Sequence, residues 1–338
     1  MVSRCLAATL SLVFTVFATL AADAQSQRHF QFHYSFTVKS VPAGEPLKVW
    51  IPLAHSNAFQ DVRLVSKQGD LPLRETRESE YGNSLLYAET PQAKQNTYKF
   101  TLEYDVVRHE TRVLAAGKPG PDAKKEPVEK ALLTRFLGPD RLVPITGVPA
   151  ELAAEQTKTA ETPLARANAM YDYVFKTLRY DKSGTGWGNG DAIWACDAKR
   201  GNCTDFHSLF IAMARSEKIP SRFEIGFSIP TDKPSGEIAG YHCWADFYTP
   251  ELGWVPVDIS EAWKHQEKHD YFFGSRDADR VQFTMGRDLR LDPQQAGPPL
   301  NYMVYPYVEV AGKPDTTLEK SFGFTEETAT KPTASGTH

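Results

Sequence analysis

The most informative segment of the chain is Arg200-Gly201-Asn202-Cys203-Thr204-Asp205-Phe206-His207. Apolar residues recur at helical spacing after the cysteine: Phe206, Leu209, Phe210 and Met213. The pattern therefore predicts that Cys203 lies where a glycine-containing turn runs into a helix, with Asp205 in the acidic first turn. A thiol at a helix N-terminus favours the thiolate, because free N–H groups and the helix dipole stabilise negative charge. The alternative is that Cys203 is a small buried apolar residue, and this segment alone does not decide between the two.

A β-hairpin is predicted further along the chain. Residues 241–248 and 254–259 are rich in aromatic and β-branched side chains, and a Pro/Gly turn at 249–253 separates them. With the turn centred there, His242 and Asp258 lie opposite each other to within about one residue. Cross-strand neighbours have Cβ atoms only ~4.5–5.5 Å apart, so the carboxylate could orient the imidazole.

Several segments follow one another in a recognisable order. They are Gly201-Asn202-Cys203, then Ala214-Arg215-Ser216-Glu217-Lys218-Ile219-Pro220-Ser221-Arg222, then residues 223–226, His242-Cys243-Trp244, and residues 253–258. This order resembles the transglutaminase-like superfamily, whose bacterial members share a papain-type Cys-His-Asp triad. The resemblance covers roughly residues 163–260, under a third of the chain.

The resemblance implies a role for each triad residue. Cys203 would be the nucleophile, His242 the general base and acid, and Asp258 the residue that orients His242. The chemistry agrees, because a thiol with a pKa near ~8.5 is mostly protonated at neutral pH and a paired imidazole raises its thiolate fraction. The alternative is that His242 and Asp258 form only a polar pair in a sheet. Nothing in this pattern requires a cofactor.

The oxyanion hole is less well defined by the sequence. The backbone N–H of Cys203 is the natural first donor, since it lies at a helix start. A second donor is expected upstream, near the glycine-rich loop 184–190. Some relatives use a tryptophan side chain there, which makes Trp187 or Trp194 a candidate. The alternative for both is packing against the core or the wall of the cleft.

Other polar residues have competing interpretations. His207, one turn after Cys203, either forms a hydrogen bond within the site or packs in its helix. The pair Arg287-Asp288 either braces the cleft or forms a structural ion pair, and we expect the ion pair. His265 and His269 stand at helical spacing, but no third ligand forms a pattern with them. We therefore predict no metal site.

The start of the chain predicts export. Residues 1–24 combine Arg4, an apolar run and the small-residue signal Ala22-Asp23-Ala24, which is typical of a signal peptide cleaved before Gln25. The alternative is an uncleaved membrane anchor. Cys5 follows no lipobox and would leave with the peptide. We expect a periplasmic or secreted protein with no integral membrane span after cleavage.

Charge and cysteine content narrow the functional classes. The net charge of −4 offers no electrostatic case for nucleic-acid binding. The mature chain would keep Cys196, Cys203 and Cys243, so at least one thiol stays free. Cys243 is expected to point away from His242, on the opposite face of the strand. A Cys196–Cys243 disulfide is allowed in an oxidising compartment, but we do not expect it.

The composition divides the chain into segments. Residues 25–113 contain strand-like runs between turns and predict an antiparallel, sandwich-like β domain. Residues 114–129 read as a linker or exposed loop, and 130–312 as the catalytic domain. Residues 313–338 are polar and predict a disordered tail. The expected fold is α+β, with a transglutaminase-like (papain-like) core behind the N-terminal β domain.

These expectations lead to one functional hypothesis and two rivals. The hypothesis is an exported cysteine acyl-transfer enzyme, a peptidase or amidase that forms a thioester. Its partner would be a protein or peptide substrate, with cell-wall peptide as one candidate. The first rival is a protein-crosslinking transglutaminase, which shares the triad. The second is a non-catalytic module that keeps the fold to bind peptide or cell-wall polymers.

Overall fold

The computed structural model describes residues 25–327, and the predicted signal peptide lies outside this range. The strands within it are β1 (Gln27–Val38), β2 (Leu47–Pro52), β3 (Gln60–Gly69), β4 (Arg74–Arg77), β5 (Ser84–Thr90), β6 (Tyr98–His109), β7 (Thr111–Arg112), β8 (Leu114–Ala115), β9 (Lys118–Pro119), β10 (Arg179–Tyr180), β11 (Arg200–Gly201), β12 (Ser221–Ser228), β13 (Ser235–Glu237), β14 (Tyr241–Thr249), β15 (Gly253–Val257), β16 (Ser275–Arg276), β17 (Arg280–Met285), β18 (Tyr307–Val310), β19 (Lys313–Asp315) and β20 (Glu319–Glu326). The helices are α1 (Lys130–Arg135), α2 (Val148–Gln156), α3 (Pro163–Thr177), α4 (Ala192–Ala198), α5 (Cys203–Ser216) and α6 (Ile259–Lys264), and a 3₁₀ turn spans Gln266–Lys268.

Two antiparallel sheets combine strands of the N-terminal part with strands from later in the chain. Their strand orders are β13-β20-β1-β6-β3 and β19-β18-β2-β5-β4. In β1 the residues that alternate along the strand are buried, as the period of two predicted: Phe30, Phe32, Tyr34, Phe36 and Val38. One hydrophobic cluster includes residues of both sheets and of the helices and strands between residues 153 and 283. The ring of Phe32 lies 5.2 Å from that of Phe227 in β12, so the first sheet packs directly against the sheet that contains β12.

The predicted disordered tail is wrong for residues 313–327. Strand β20 pairs with β1 along its length, from Phe30 opposite Glu326 to Thr37 opposite Glu319. Phe322 and Phe324 are buried, and these two side chains supply the apolar contact that holds a largely polar segment in the sheet. The predicted boundary at residue 312 therefore separates strands that share a sheet, while residues 328–338 lie outside the described range.

The part of the chain that contains α5 is an antiparallel sheet packed against helices. The strand order is β15-β14-β12-β17, and α5 contacts both β12 and β14. Every residue of α5 from Cys203 to Arg215 is buried, because α2, α3, α4 and α6 also pack against it. A helix enclosed on all sides holds its first residue in a defined place. Antiparallel sheets with helices grouped on one of them confirm the α+β prediction.

Helix and linker details complete the description. Thr162 caps α3 by accepting the N–H of Ala165, and Pro163 takes the first helical position, as predicted. The segment predicted as a linker contains the hairpin of β8 and β9, and Leu114 donates its N–H to Gly274. Among residues 25–327, no helix is both long and apolar enough to cross a bilayer.

Candidate active site

Cys203 is the first residue of α5, as the sequence predicted. Asn202 caps the helix: its side-chain oxygen accepts the N–H of Thr204 at 2.9 Å. Asp205 completes a capping box by accepting the N–H of Asn202, also at 2.9 Å. The thiol therefore lies at the positive end of a rigid helix, and only 2% of Cys203 is exposed.

Asp205 also anchors the loop that precedes α4. Its two carboxylate oxygens accept the N–H groups of Gly188 at 2.7 Å and Gly190 at 3.0 Å. Gly201, with φ of 152°, passes so close that a Cβ would lie 2.3 Å from an Asp205 oxygen. The glycine before Asn202 is thus needed for the capping carboxylate to reach both partners.

His242 and Asp258 are in contact, although not as direct cross-strand neighbours. The imidazole Nε2 of His242 lies 2.8 Å from Oδ2 of Asp258. Strand pairing ends at Ala245 and Val257, so Asp258 lies beyond the paired region and caps α6 by accepting the N–H of Glu261 at 3.1 Å. The sequence predicted that His242 and Asp258 lie opposite each other to within about one residue. The actual register differs, and the Asp258 side chain reaches diagonally back along β14 to His242.

Arg280 is a neighbour of Asp258 that sequence reasoning missed. Its Nη1 donates to Oδ2 of Asp258 at 2.8 Å, and its Nη2 donates to Asp277 at 2.9 Å. The guanidinium lies 4.8 Å from the ring centre of Trp244. Asp258 is 1% exposed, and burial alone would raise the pKa of its carboxyl. The charges of His242 and Arg280 hold that pKa well below its usual value instead.

The surroundings of Cys203 and His242 shift the pKa of each group towards its charged form. Burial would raise the pKa of Cys203, but hydrogen bonds with Cys243 and His242 and the positive charge of His242 hold it well below its usual value. Burial would lower the pKa of His242, but Asp258 and the hydrogen bond with Cys203 raise it to about 10. Both shifts favour a thiolate facing an imidazolium. Because Nε2 of His242 is hydrogen-bonded to Asp258, Nδ1 is the ring nitrogen that can interact with the Cys203 sulfur.

His207 forms hydrogen bonds with backbone groups of Cys203 and of Ile259, the residue that follows Asp258. Its Nδ1 lies 2.7 Å from the Cys203 carbonyl oxygen and therefore carries the proton. Its Nε2 accepts the N–H of Ile259 at 3.1 Å. Burial lowers its pKa, which agrees with a neutral ring. Both interpretations of His207 hold in part, because it packs within the helix core and also fixes the residue that follows Asp258.

The two candidate tryptophans contact Gly184 and Arg200. The indole N–H of Trp187 donates to the carbonyl of Gly184 at 3.2 Å within its own loop. The ring of Trp194 lies 5.6 Å from the guanidinium of Arg200. The donor that this geometry does provide for an oxyanion is the N–H of Cys203, since the first turn of a helix leaves its N–H groups without intrahelical partners.

Two tyrosines form a wall of the site that the sequence did not reveal. The hydroxyl of Tyr302 donates to the Gly188 carbonyl at 2.9 Å, and its ring centre lies 5.6 Å from that of Tyr241. Burial and the negative charge of Cys203 both raise the pKa of Tyr241. The Tyr241 hydroxyl accepts a hydrogen bond from Nδ2 of Asn202 at 2.9 Å, so the phenol lies beside the residue that precedes Cys203. An aromatic wall therefore borders the nucleophile on the side of the loop that Asp205 anchors.

Arg287 braces the same loop, which was the less expected of its two interpretations. Its buried guanidinium donates to the Gly190 carbonyl at 2.8 Å and to the hydroxyl of Ser208. Asp288 contacts Arg141 instead, by accepting its N–H at 2.6 Å. We expected Arg287 and Asp288 to form an ion pair. Instead, backbone carbonyls hold the Arg287 guanidinium, and Asp288 contacts Arg141.

The remaining predicted positions have simple environments. His265 lies 3.8 Å from Glu261, and His269 lies 3.1 Å from Asp172. Residues 25–327 contain no cluster of His, Cys, Asp and Glu that could hold a metal ion. Their cysteines, Cys196, Cys203 and Cys243, are all free thiols.

Comparison with known proteins identifies the segment that carries these residues. Residues 150–259 match the family model of the transglutaminase-like superfamily. This segment is a transglutaminase-like domain. The resemblance seen in the sequence is thus confirmed, and the match spans Cys203, His242 and Asp258.

Two similar proteins cover most of the chain. An uncharacterised protein of Haemophilus influenzae is 26% identical over 324 residues, covering 81% of this chain and 84% of its own. The crystal structure of a candidate cysteine protease from Cytophaga hutchinsonii aligns with a TM-score of 0.56 at 14% identity, covering 90% of this chain and 99% of its own. At that identity the likeness shows the transglutaminase-like fold, which together with the family match supports a cysteine acyl-transfer class of enzyme.

Proposed function

We propose that this protein is an exported cysteine peptidase or amidase that acts through Cys203, His242 and Asp258. The observation that carries the proposal is the arrangement of the three residues. Cys203 is the first residue of α5, and His242, whose Nε2 lies 2.8 Å from Asp258, lowers the pKa of the Cys203 thiol. Ion pairing prepares the sulfur for attack before substrate binds.

The geometry leads to a two-stage reaction. The Cys203 thiolate attacks an amide carbonyl, and the Cys203 N–H stabilises the negative charge that develops on the oxygen. The imidazolium of His242 then gives its proton to the leaving amine, and a thioester remains on Cys203. Neutral His242 next takes a proton from water, the resulting hydroxide attacks the thioester, and the carboxylic acid leaves as the thiolate re-forms. Asp258 keeps Nε2 of His242 protonated throughout, so Nδ1 is the nitrogen that gives and takes the proton in each step.

The burial of the site favours water over an amine as the acceptor. Cys203 and His242 are 2% and 4% exposed, and the tyrosine wall stands beside them. Water reaches a buried thioester without a second binding site, whereas a protein amine needs a pocket to hold it. A protein or peptide substrate, with cell-wall peptide as one candidate, agrees with the superfamily match. The export part rests on residues 1–24 of the sequence alone.

A substrate panel with an added amine tests this proposal. The protein would be incubated with casein and with cell-wall peptides, with and without a fluorescent primary amine. Cys203→Ala is the test variant, and Cys196→Ala is the matched control because it also removes a thiol but lies on α4. We expect cleavage or ammonia release that depends on Cys203 and survives in Cys196→Ala.

Other outcomes would reassign the function. Amine incorporation or higher-mass conjugates that depend on Cys203 would identify a crosslinking transglutaminase. Binding of a peptide or cell-wall polymer with equal affinity in wild type and Cys203→Ala, without turnover, would identify a binding module.

A further inference from the structure

A second buried thiol faces the helix that begins with Cys203. Cys243 on β14 is fully buried, and its sulfur lies 3.8 Å from Nδ1 of His207 on α5. The same nitrogen of His207 lies 2.7 Å from the Cys203 carbonyl oxygen, so His207 is a common neighbour of the two cysteines. The pKa directions of the two thiols agree with this proximity, because each thiol shifts the pKa of the other. Cys243 was expected on the face of β14 opposite to His242, and its sulfur lies on the side of the strand that packs against His207 of α5.

The two thiols differ in their chemical state. His242 lowers the pKa of Cys203 and so favours its thiolate, while burial and the neighbouring Cys203 raise the pKa of Cys243. A thiolate reacts with peroxides to give a sulfenic acid, and a sulfenic acid beside a thiol condenses to a disulfide. Without such a thiol it advances to sulfinic acid, which is generally irreversible. The arrangement therefore contains one site of oxidation and one resolving thiol.

We propose that Cys243 is a resolving cysteine, which converts peroxide-oxidised Cys203 into a reversible Cys203–Cys243 disulfide that switches the enzyme off. The inference rests on the proposed function in one respect, the role of Cys203 as nucleophile. The oxidant is hydrogen peroxide or an alkyl hydroperoxide. The reductant that restores activity is a dithiol.

The steps balance. The Cys203 thiolate attacks one peroxide oxygen, the O–O bond breaks, and the departing hydroxide takes the proton of the His242 imidazolium to become water. Loss of the neighbouring negative charge removes one of the causes that keep Cys243 protonated. The Cys243 sulfur then attacks the Cys203 sulfenic sulfur, the S–O bond breaks, and hydroxide leaves with the Cys243 proton as a second water. In sum, two thiols lose two hydrogens and the peroxide becomes two waters.

Cys196 is the internal control for this chemistry. Burial and the neighbouring Asp197 and Asp191 raise the pKa of Cys196 to about 11, so at neutral pH it is protonated and slow to react with peroxide. Its place on α4 also lies outside the contact between α5 and β14. After peroxide treatment, Cys196 should therefore still be alkylated, whereas the free thiols of Cys203 and Cys243 should be lost together.

Mass spectrometry of the full chain tests the proposal. The reduced protein, freed of reductant, would be treated with hydrogen peroxide, alkylated, digested and mapped, with dimedone present in a parallel sample. We expect a peptide pair joined by a Cys203–Cys243 disulfide. Dithiothreitol should reduce this disulfide and raise the amount of alkylated Cys203 at least about tenfold. Cys196→Ser should give the same result. Cys243→Ala should accumulate the dimedone adduct of Cys203 and then sulfinic acid that dithiothreitol does not reverse.

The wild-type measurement decides the matter even if Cys243→Ala does not fold. Sulfinic acid on wild-type Cys203 with Cys243 still alkylatable would overturn the proposal, as would a disulfide to Cys196 or no reaction with peroxide. The readout is the covalent state of the sulfurs and requires no substrate. A linked pair in a protein that turns over nothing would support this inference while contradicting the peptidase, and turnover without a linked pair would do the reverse.

Discussion

The side chain of Asn202 donates a hydrogen bond from Nδ2 to the hydroxyl of Tyr241 at 2.9 Å. Each of these residues immediately precedes a member of the triad, Asn202 before Cys203 and Tyr241 before His242. One polar contact therefore joins the start of α5 to the start of β14. It holds together the two backbone segments from which Cys203 and His242 extend.

Replacing Tyr241 with Phe should slow the enzyme without unfolding it. The change removes a contact between neutral groups, which is worth about 0.5–1.5 kcal/mol, so kcat/KM should fall by up to about tenfold. The rate of Cys203 alkylation should change with it. Tyr34→Phe is the matched control, because it also deletes a hydrogen bond, to the Val304 carbonyl, but in the N-terminal sheet. Equal effects of the two variants on alkylation would contradict this role for Tyr241.

Replacing Asp258 with Asn should nearly abolish turnover. The amide keeps the shape but removes the charge that raises the pKa of His242, and a wrong ring tautomer lowers kcat on the order of 10⁴-fold. The pH profile of Cys203 alkylation should move to higher pH, since a weaker imidazolium supports the thiolate less. Asp277→Asn, which removes a different partner of Arg280, should have a much smaller effect on both. A profile that does not move would contradict the ion pair.

The pH dependence of labelling should single out Cys203. Its pKa is depressed, so the thiolate is present at neutral pH and is lost only as pH falls through that low value. The His242 imidazolium is lost as pH rises past its pKa of about 10, which sets the upper limit of the ion pair. Iodoacetamide at about pH 6.5, well below the ~8.5 of an ordinary thiol, should modify Cys203 before Cys196 or Cys243. Equal rates for the three in folded protein would remove the support for a catalytic thiolate.

Replacing Gly201 with Ala should destabilise the helix start. The new Cβ would lie 2.3 Å from Asp205, so the capping carboxylate must move away from its N–H partners. Overpacking of this kind destabilises by about 1–3 kcal/mol, measurable as a lower urea midpoint. Gly44→Ala is the control, because Gly44 also has positive φ, of 84°, but no atom within 4 Å of the added Cβ. A similar loss in both variants would mean that backbone strain alone is responsible.

Export should leave a defined N-terminus. If residues 1–24 are a signal peptide, protein recovered from the cell envelope should begin at or near Gln25 by mass analysis. Recovery of the full chain with Met1 from the cytoplasm would contradict both the localisation and the cleavage.

Local patterns predicted the elements of the site because each depends on neighbouring residues. The start of α5 follows from Asn202, Asp205 and the helical spacing after them, all within a few turns. The hairpin of β14 and β15 follows from two apolar runs around a short turn. Its register was displaced in the prediction, because the exact pairing depends on packing beneath the strands.

Local sequence patterns predicted the helix that begins at Cys203, the hairpin that contains His242 and the α+β class. Three other features depend on packing between distant segments: β20 pairs with β1, Arg280 supports Asp258, and Cys243 lies beside His207 on α5. The difference lies in the range of the interactions. Caps and turns act over a few residues and leave a readable pattern, whereas these contacts join segments distant along the chain and depend on how the whole core packs.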